Sequence, residues 1–394
     1  MDGREFTYPC VDVKTSSLAV VDLERDRMDG QIAACVLQGI VNRQSPCKIY
    51  VMNTYCYDNK GGGENQAQVA ERLLHELYSD VSIDRLEPSD NREWPGFMAL
   101  MEEFGEVAQG LVVWDPRLEE ATIEAATTIA AQTDAIVASP RLAEALEGYE
   151  LPIIEDLREY GFGGNVECLE WLLDHWFEDA NKKVAFTWSH MTTSGRSWGA
   201  ANKDFVVAHG LFTFYLDIED DGEREHYSDV IERYAPGTPV MGWANEHLAN
   251  GLFNRMGYFM VPYIGVENLT VHSSFPSTSA SPYEPRARDV DEDSVYISFF
   301  IADGDNLLHS LVYEPDMAMS SDAFGEVPTT WIINPNLIDL APRLYDWFRA
   351  FPDSQEMGGM MSDGHAGADQ YRGFKFYCDL TSEYLKRSGI VTMK

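Results

Sequence analysis

No apolar run in the 394-residue sequence is long enough to cross a bilayer, and Met1–Cys10 lacks the order of an export signal. Read as written, the chain is cytoplasmic, or exported if a signal was removed from it. Basic residues are scarce: 29 Lys and Arg stand against 65 Asp and Glu, a formal charge of −36. A surface of that sign repels phosphate backbones and anionic lipid, which argues against nucleic acid and membrane partners and for neutral or cationic ligands. The charges are scattered rather than blocked, as on an ordinary solvated surface. Cysteine is sparse too. Cys10, Cys35, Cys47, Cys56, Cys168 and Cys378 form no CxxC pair and no ladder with His, so free thiols are expected and zinc is not. HExxH, a GxGxxG after a first strand and His pairs at i, i+4 are missing, as is any internal repeat.

What the sequence does contain is apolar material in a regular order. Hydrophobic residues make up 45% of it and aromatics 12%, enough for sizeable cores, and the length favours two or three domains. Candidate strands at Leu18–Leu23, Lys48–Asn53, Leu111–Trp114, Ala135–Ala138 and Ile153–Ile154 alternate with helical stretches at Gln31–Asn42, Gln66–Tyr78, Trp94–Phe104 and Thr122–Thr133. Such alternation predicts an α/β fold, with residues 1–160 as one doubly wound domain on a parallel sheet. Residues 161–236 read as a second small α/β unit: a helix at Val166–Ala180, a strand at Lys183–Trp188, an apolar Phe205–Leu216 and a helix at Glu225–Tyr234. From 237 to 394 the strands Pro239–Trp243, Tyr258–Tyr263, Val295–Ile301, Thr329–Ile333 and Met357–Met361 each run into a polar or Gly-rich stretch. Polar residues directly after parallel strands are the active-site pattern of (β/α) barrels, so a barrel-like, partial domain is expected here.

The clearest chemical signal is Asp303-Gly304-Asp305-Asn306, at the end of a strand whose Ile297, Phe299, Phe300 and Ile301 predict burial. Gly304 permits a tight turn that lets both carboxylates converge. Such a cluster can act as acid, base or nucleophile on a glycosidic bond, or hold Mg²⁺ or Ca²⁺ through oxygen; an Asp-Gly turn capping a following helix is the plain alternative. A second carboxylate would come from Glu246, after Pro239–Trp243, or from Asp363, after Met357–Met361. Trp243 and Trp331 at strand ends are candidate stacking rings, though such rings more often belong to cores. Asn268, Asn306, Asn334 and His365 complete the candidate substrate-binding set. No resident metal or other cofactor is assigned beyond a cation at Asp303 and Asp305. Weaker signals are Gly195–Gly199, which spells the GxSxG of serine hydrolases but stands away from its strand, and Gly61–Gly63, a turn without the Lys of a phosphate loop.

Several stretches in order resemble the GxGYxYP family of glycoside hydrolases. Ala34–Arg43 followed by Lys48–Tyr50, Val113–Pro116 and Thr127–Ala138 are similar to its N-terminal region. Ala302–Asn306, Trp331–Pro335 and Asp339–Pro342 are similar to its C-terminal domain. The resemblance implies a carbohydrate substrate, an α/β N-terminal region and a barrel-like C-terminal domain. Between Gly358 and Gly367 the Gly-Tyr and Tyr-Pro elements that name the family are missing, and only five or six barrel strands can be counted, so a reduced or incomplete barrel is expected. Three readings stay open: a glycan hydrolase, a carbohydrate-binding protein without catalysis, and a cation-dependent enzyme of another class. The oligomeric state is not legible.

Overall fold

Strand and helix alternate throughout the computed structural model, which describes residues 6–54, 66–188, 200–263, 265–278, 284, 291, 293–302, 307–352, 354–359, 372 and 374–391. The first elements are β1 (Ser17–Asp22), α1 (Met28–Gln44), β2 (Cys47–Met52), α2 (Gln66–Leu77), β3 (Ser82–Arg85) and α3 (Pro95–Phe104). Next come β4 (Gly110–Val113), α4 (Glu119–Thr133), β5 (Ala135–Ala138), α5 (Pro140–Ala145), β6 (Ile153–Asp156) and α6 (Asn165–Trp176). β7 (Asn181–Trp188), α7 (Lys203–Ala208), β8 (Leu211–Tyr215), α8 (Asp221–Ile231), β9 (Pro239–Trp243), α9 (Glu246–Met256), β10 (Phe259–Pro262) and α10 (Leu269–His272) follow. The chain then forms β11 (Phe299–Ile301), α11 (Glu314–Ser320), β12 (Thr329–Ile333), α12 (Leu337–Leu340), α13 (Pro342–Arg349), β13 (Gln355–Gly359) and α14 (Phe374–Ser388).

The described strands form four sheets, in orders β2-β1-β3, β5-β4-β6, β10-β9-β7-β8 and β11-β12-β13, and every pairing among them is parallel. Parallel neighbours need crossover connections, and the crossover helices cover the sheets, so the strands carry unbroken apolar runs. β4, β5 and β8 are buried at every position. The single doubly wound sheet expected over residues 1–160 is in fact two three-stranded sheets. α1 packs on β2 of one and β5 of the other. The five described strands after residue 237 are also split: β9 and β10 join β7 and β8, while β11–β13 stand as an open sheet, and no closed barrel exists among the described residues.

α1 explains much of this arrangement. Every residue from Asp29 to Asn42 is buried, so the helix is apolar on all sides rather than on one face. Its buried polar side chains are tied to neighbouring elements, with only Gln38 Oε1 left without a partner among the described residues. Gln38 Nε2 donates to the Ile49 carbonyl (2.9 Å) and to Asn268 Oδ1 (2.7 Å). Asn42 Nδ2 donates to the same carbonyl (3.0 Å) and to Thr270 Oγ1 (2.8 Å), and Asn42 Oδ1 accepts the Ile49 N–H (2.7 Å). Gly39 lets α7 approach: a Cβ there would lie 2.6 Å from the Asp204 carbonyl oxygen. Two cores result. One gathers α1, α3, α4 and β4–β6; the other joins Leu18, Tyr50, Phe186, Met241, Val261 and Ile333, residues from three of the four sheets.

The Val295–Ile301 segment departs from expectation. It is exposed, with Val295 at 92% and Ile297 at 77%, and Phe299 and Phe300 are more than half exposed. The reason is position: β11 is an edge strand, hydrogen-bonded only to β12 among the described strands. Cys10, Cys35, Cys47, Cys168 and Cys378 are free thiols, and no described helix is long and apolar enough to cross a membrane.

A pH response is built into the second core. His272 is fully buried, with its Nδ1 2.5 Å from the Tyr78 hydroxyl, and burial pushes its pKa down to about 4. The unfolded chain, with a histidine pKa near 6.5, binds a proton first as pH falls, so stability is full above that value and is lost progressively down to about 4. At pH 5 the loss from this one group is about 2 kcal/mol relative to pH 8. Urea unfolding at both pH values sums every such group, His209 among them, so the loss should be about 2 kcal/mol larger in the wild type than in His272→Gln; equal losses would refute the assignment.

Candidate functional site

β11, β12 and β13 run parallel and nearly in register, Ile301 opposite Trp331 and Ile333 opposite Gly359, so all three end at one edge of their sheet. Active sites of parallel α/β folds lie at such carboxyl edges, where connections diverge. Asp303, Asp305 and Asn306 follow β11, and Asp363 and His365 follow β13; all five lie outside the described residues, as do Gly61–Gly63 and Gly195–Gly199. Glu246 opens α9 after β9, a strand of the neighbouring sheet, and its side chain is likewise outside the description. The preceding Asn245 caps that helix, accepting the Leu248 N–H at 3.3 Å.

The described candidates divide. Trp243, the last residue of β9, is half-buried and in register with Trp188 of β7, so two indoles end adjacent strands. Trp331 is a core ring and not a stacking platform. It is 4% exposed, its indole N–H donates to Gln355 Oε1 (2.8 Å), and Phe324 and Phe351 meet it edge-on. Asn268 is fully buried at φ +62°, with its Oδ1 accepting the Val51 N–H (2.8 Å) and its Nδ2 donating to the Val51 carbonyl (2.9 Å). That clip fastens the chain before α10 to β2, which leaves Asn268 no face toward a ligand. Asn334 is buried as well; its Oδ1 accepts the Asn336 N–H (2.9 Å), a turn that starts α12.

Below the end of β12 lies a phenol network. Asn336 Nδ2 donates to the Tyr8 hydroxyl (3.1 Å), and the Tyr384 hydroxyl donates to Asp339 Oδ2 (2.6 Å), which Arg387 also engages. Burial first, and Asp339 nearby, push both phenols well above their usual range, so they remain hydrogen-bond donors. Two carboxylates went unnoticed in the sequence. Glu314 is fully buried directly after the π-helical turn His309–Tyr313, a local geometry common at functional sites. Glu267 is 1% exposed and hydrogen-bonded to the Thr54 hydroxyl. Neither carries a motif, and only burial singles them out.

Residues 108–180 match the domain described as "GxGYxYP_N second domain", and residues 293–355 match the "GxGYxYP putative glycoside hydrolase C-terminal domain". Two stretches of the chain thus match GxGYxYP domains. The first GxGYxYP match runs from β4 through α6, and so contains the whole β5-β4-β6 sheet. The second GxGYxYP match begins before β11 and ends as β13 starts, placing Asp303 and Asp305 inside it and Glu246 and Asp363 outside. Over 98% of this chain and 71% of the other, the fold is similar to a crystal structure from Bacteroides thetaiotaomicron VPI-5482 described as a "putative hydrolase", with TM-score 0.78 and 18% identity. At that identity the likeness is one of fold. No curated protein matches the chain.

Proposed function

We propose that the chain is a glycan hydrolase whose reactive carboxylates are Asp303 or Asp305 together with a second acid from the same edge. One observation carries this reading: both aspartates fall inside the stretch matched to a glycoside hydrolase domain, directly after a parallel strand. Asp363 is favoured over Glu246 as the second acid, because it follows a strand of the same sheet as β11. One carboxyl would protonate the leaving oxygen while the other activates water or attacks the anomeric carbon. A separation of about 5–5.5 Å gives retention and about 6.5–9.5 Å gives inversion. Trp243, beside Trp188, is the stacking ring this reading retains, and a neutral glycan suits a chain of charge −36.

The test is sugar release from a glycan panel by the wild type, Asp303→Asn and Asp305→Asn. At least one variant should lose tenfold or more of the activity with an unchanged melting temperature. Full activity in both overturns the assignment. Glycan binding without turnover, indifferent to both changes, would instead select a non-catalytic carbohydrate-binding role, the reading favoured by the missing Gly-Tyr and Tyr-Pro elements. Elemental analysis of the purified protein tests the cation-dependent alternative at Asp303 and Asp305.

A further inference from the structure

A hollow of about 640 Å³ opens where the carboxyl ends of β4 and β5 meet the start of α1. Its chemistry is set by Arg27, Asp29, Trp114, Glu119, Ser139 and Arg141. Asp29 forms a fixed floor: Oδ1 accepts the Trp94 indole N–H (2.7 Å) and the Gly30 N–H (3.0 Å), while Oδ2 accepts the Ser139 hydroxyl (2.6 Å). Ser139 Oγ in turn accepts the Leu142 N–H (3.0 Å) and caps α5. These groups are fully engaged, which rigidifies the wall without offering it to a ligand.

Three donors and one acceptor remain. Arg27 and Arg141 flank Glu93, at 3.8 Å and in direct contact respectively, yet each keeps most of its N–H groups and stands more than half exposed. Trp114 is buried to all but 6%, and its indole N–H has no hydrogen-bond partner among the described residues. A buried donor without an acceptor is uncommon, and because the nitrogen itself is shielded from solvent, a ligand in the hollow satisfies it only with a small shift of the ring. Glu119 is half-buried; burial, then Glu120 and Asp29, push its carboxyl above the usual range.

The charges of the two arginines are offset by Glu93, Asp29 and Glu119, so the hollow is not a phosphate or carboxylate trap, and the chain as a whole repels anions. Beside the polar groups lie Trp114, Pro116 and Pro140, which offer apolar surface. Hydroxyls that donate and accept, mounted on a ring with C–H faces, fit that mixture. The volume lies within the range of pockets that enclose small ligands, about 300–1,000 Å³. We propose that this hollow is a saccharide-binding site of the N-terminal half, taking a neutral mono- or disaccharide, separate from the Asp303 edge and independent of whether that edge is catalytic.

Calorimetric titration with glucose, galactose, N-acetylglucosamine and cellobiose, and with glucuronate and inorganic phosphate, tests it on the full chain. At least one neutral sugar should bind saturably to the wild type and to Asp305→Asn. The same sugar should bind at least fivefold more weakly to Trp114→Phe, which keeps the ring and removes the N–H, and to the surface variant Arg141→Gln. Circular dichroism melting identifies any variant that fails to fold, and the other variant then decides. Saturable binding unchanged in both hollow variants, binding lost only in Asp305→Asn, preference for glucuronate or phosphate, or no saturable neutral sugar each overturns the proposal. The catalytic reading fails separately, through full activity of the Asp303 and Asp305 variants.

Discussion

Replacing Lys203 by methionine should lower the unfolding free energy by about 3–5 kcal/mol. Lys203 of α7 and Glu124 of α4 are ion-paired with each side chain only 3% exposed, and the second Glu124 oxygen accepts the Thr213 hydroxyl at 2.7 Å. Methionine preserves most of the aliphatic stem, so the change removes the ammonium and leaves a carboxylate with no countercharge in a dry interior. The cost is that of the stranded charge and not of the pair, which a double-mutant cycle exposes. Lys203→Met with Glu124→Gln should recover most of the loss, since a neutral amide can still accept from Thr213. Urea unfolding followed by circular dichroism reads both. A single variant as stable as the wild type would show that water reaches the pair. Because Thr213 lies in β8, the pair fastens a helix of the first matched domain to the sheet that follows it.

Gly242→Ala carries the second large effect, about 3 kcal/mol or more. Gly242 sits in β9 at φ +111°, a conformation side chains resist, and a Cβ there would lie 1.9 Å from the Thr187 carbonyl oxygen of β7. The obstacle is backbone on a paired strand, so no rotamer change relieves it. The Gly242 carbonyl also accepts the Tyr263 N–H (2.9 Å), and displacing it disturbs β10 and the adjoining Trp243 together. Gly251→Ala, inside α9 with only the Arg255 guanidinium at 3.5 Å, is the control and should change stability by less than about 1 kcal/mol. Comparable losses in both would place the effect in glycine content rather than in the β7–β9 approach.

The element pattern of this chain is legible because apolar runs and helical spacing are local. β5, β9 and β12 fall where the residues place them, and the apolar segment Phe205–Leu216 resolves into α7 and β8. β3 escaped because three of the four residues in Ser82–Arg85 are polar, as an exposed strand permits. What the residues do not state is which neighbour each element receives. Val295–Ile301 has the composition of a buried strand, yet one side of β11 finds no partner among the described strands, and its side chains face solvent. Strand alternation likewise cannot tell one six-stranded sheet from two of three. The site residues divide on the same ground: Trp331, Asn268 and Asn334 have the chemistry of ligand contacts, but Gln355, Val51 and Asn336 satisfy them. Only the pairing of β12 with both β11 and β13 gives Asp303 and Asp363 a shared origin, and that pairing is invisible in one dimension.

The polar stitching of α1 bears on synthesis. Gln38 and Asn42 depend on Asn268 and Thr270, which leave the ribosome more than two hundred residues later. Until then this buried helix has incomplete company, and its central amides lack two of their partners. Domains are commonly expected to fold in order of emergence. Here the first helix must wait for residues near 270, so nascent chains halted before that point should remain protease-sensitive and bind chaperones through α1.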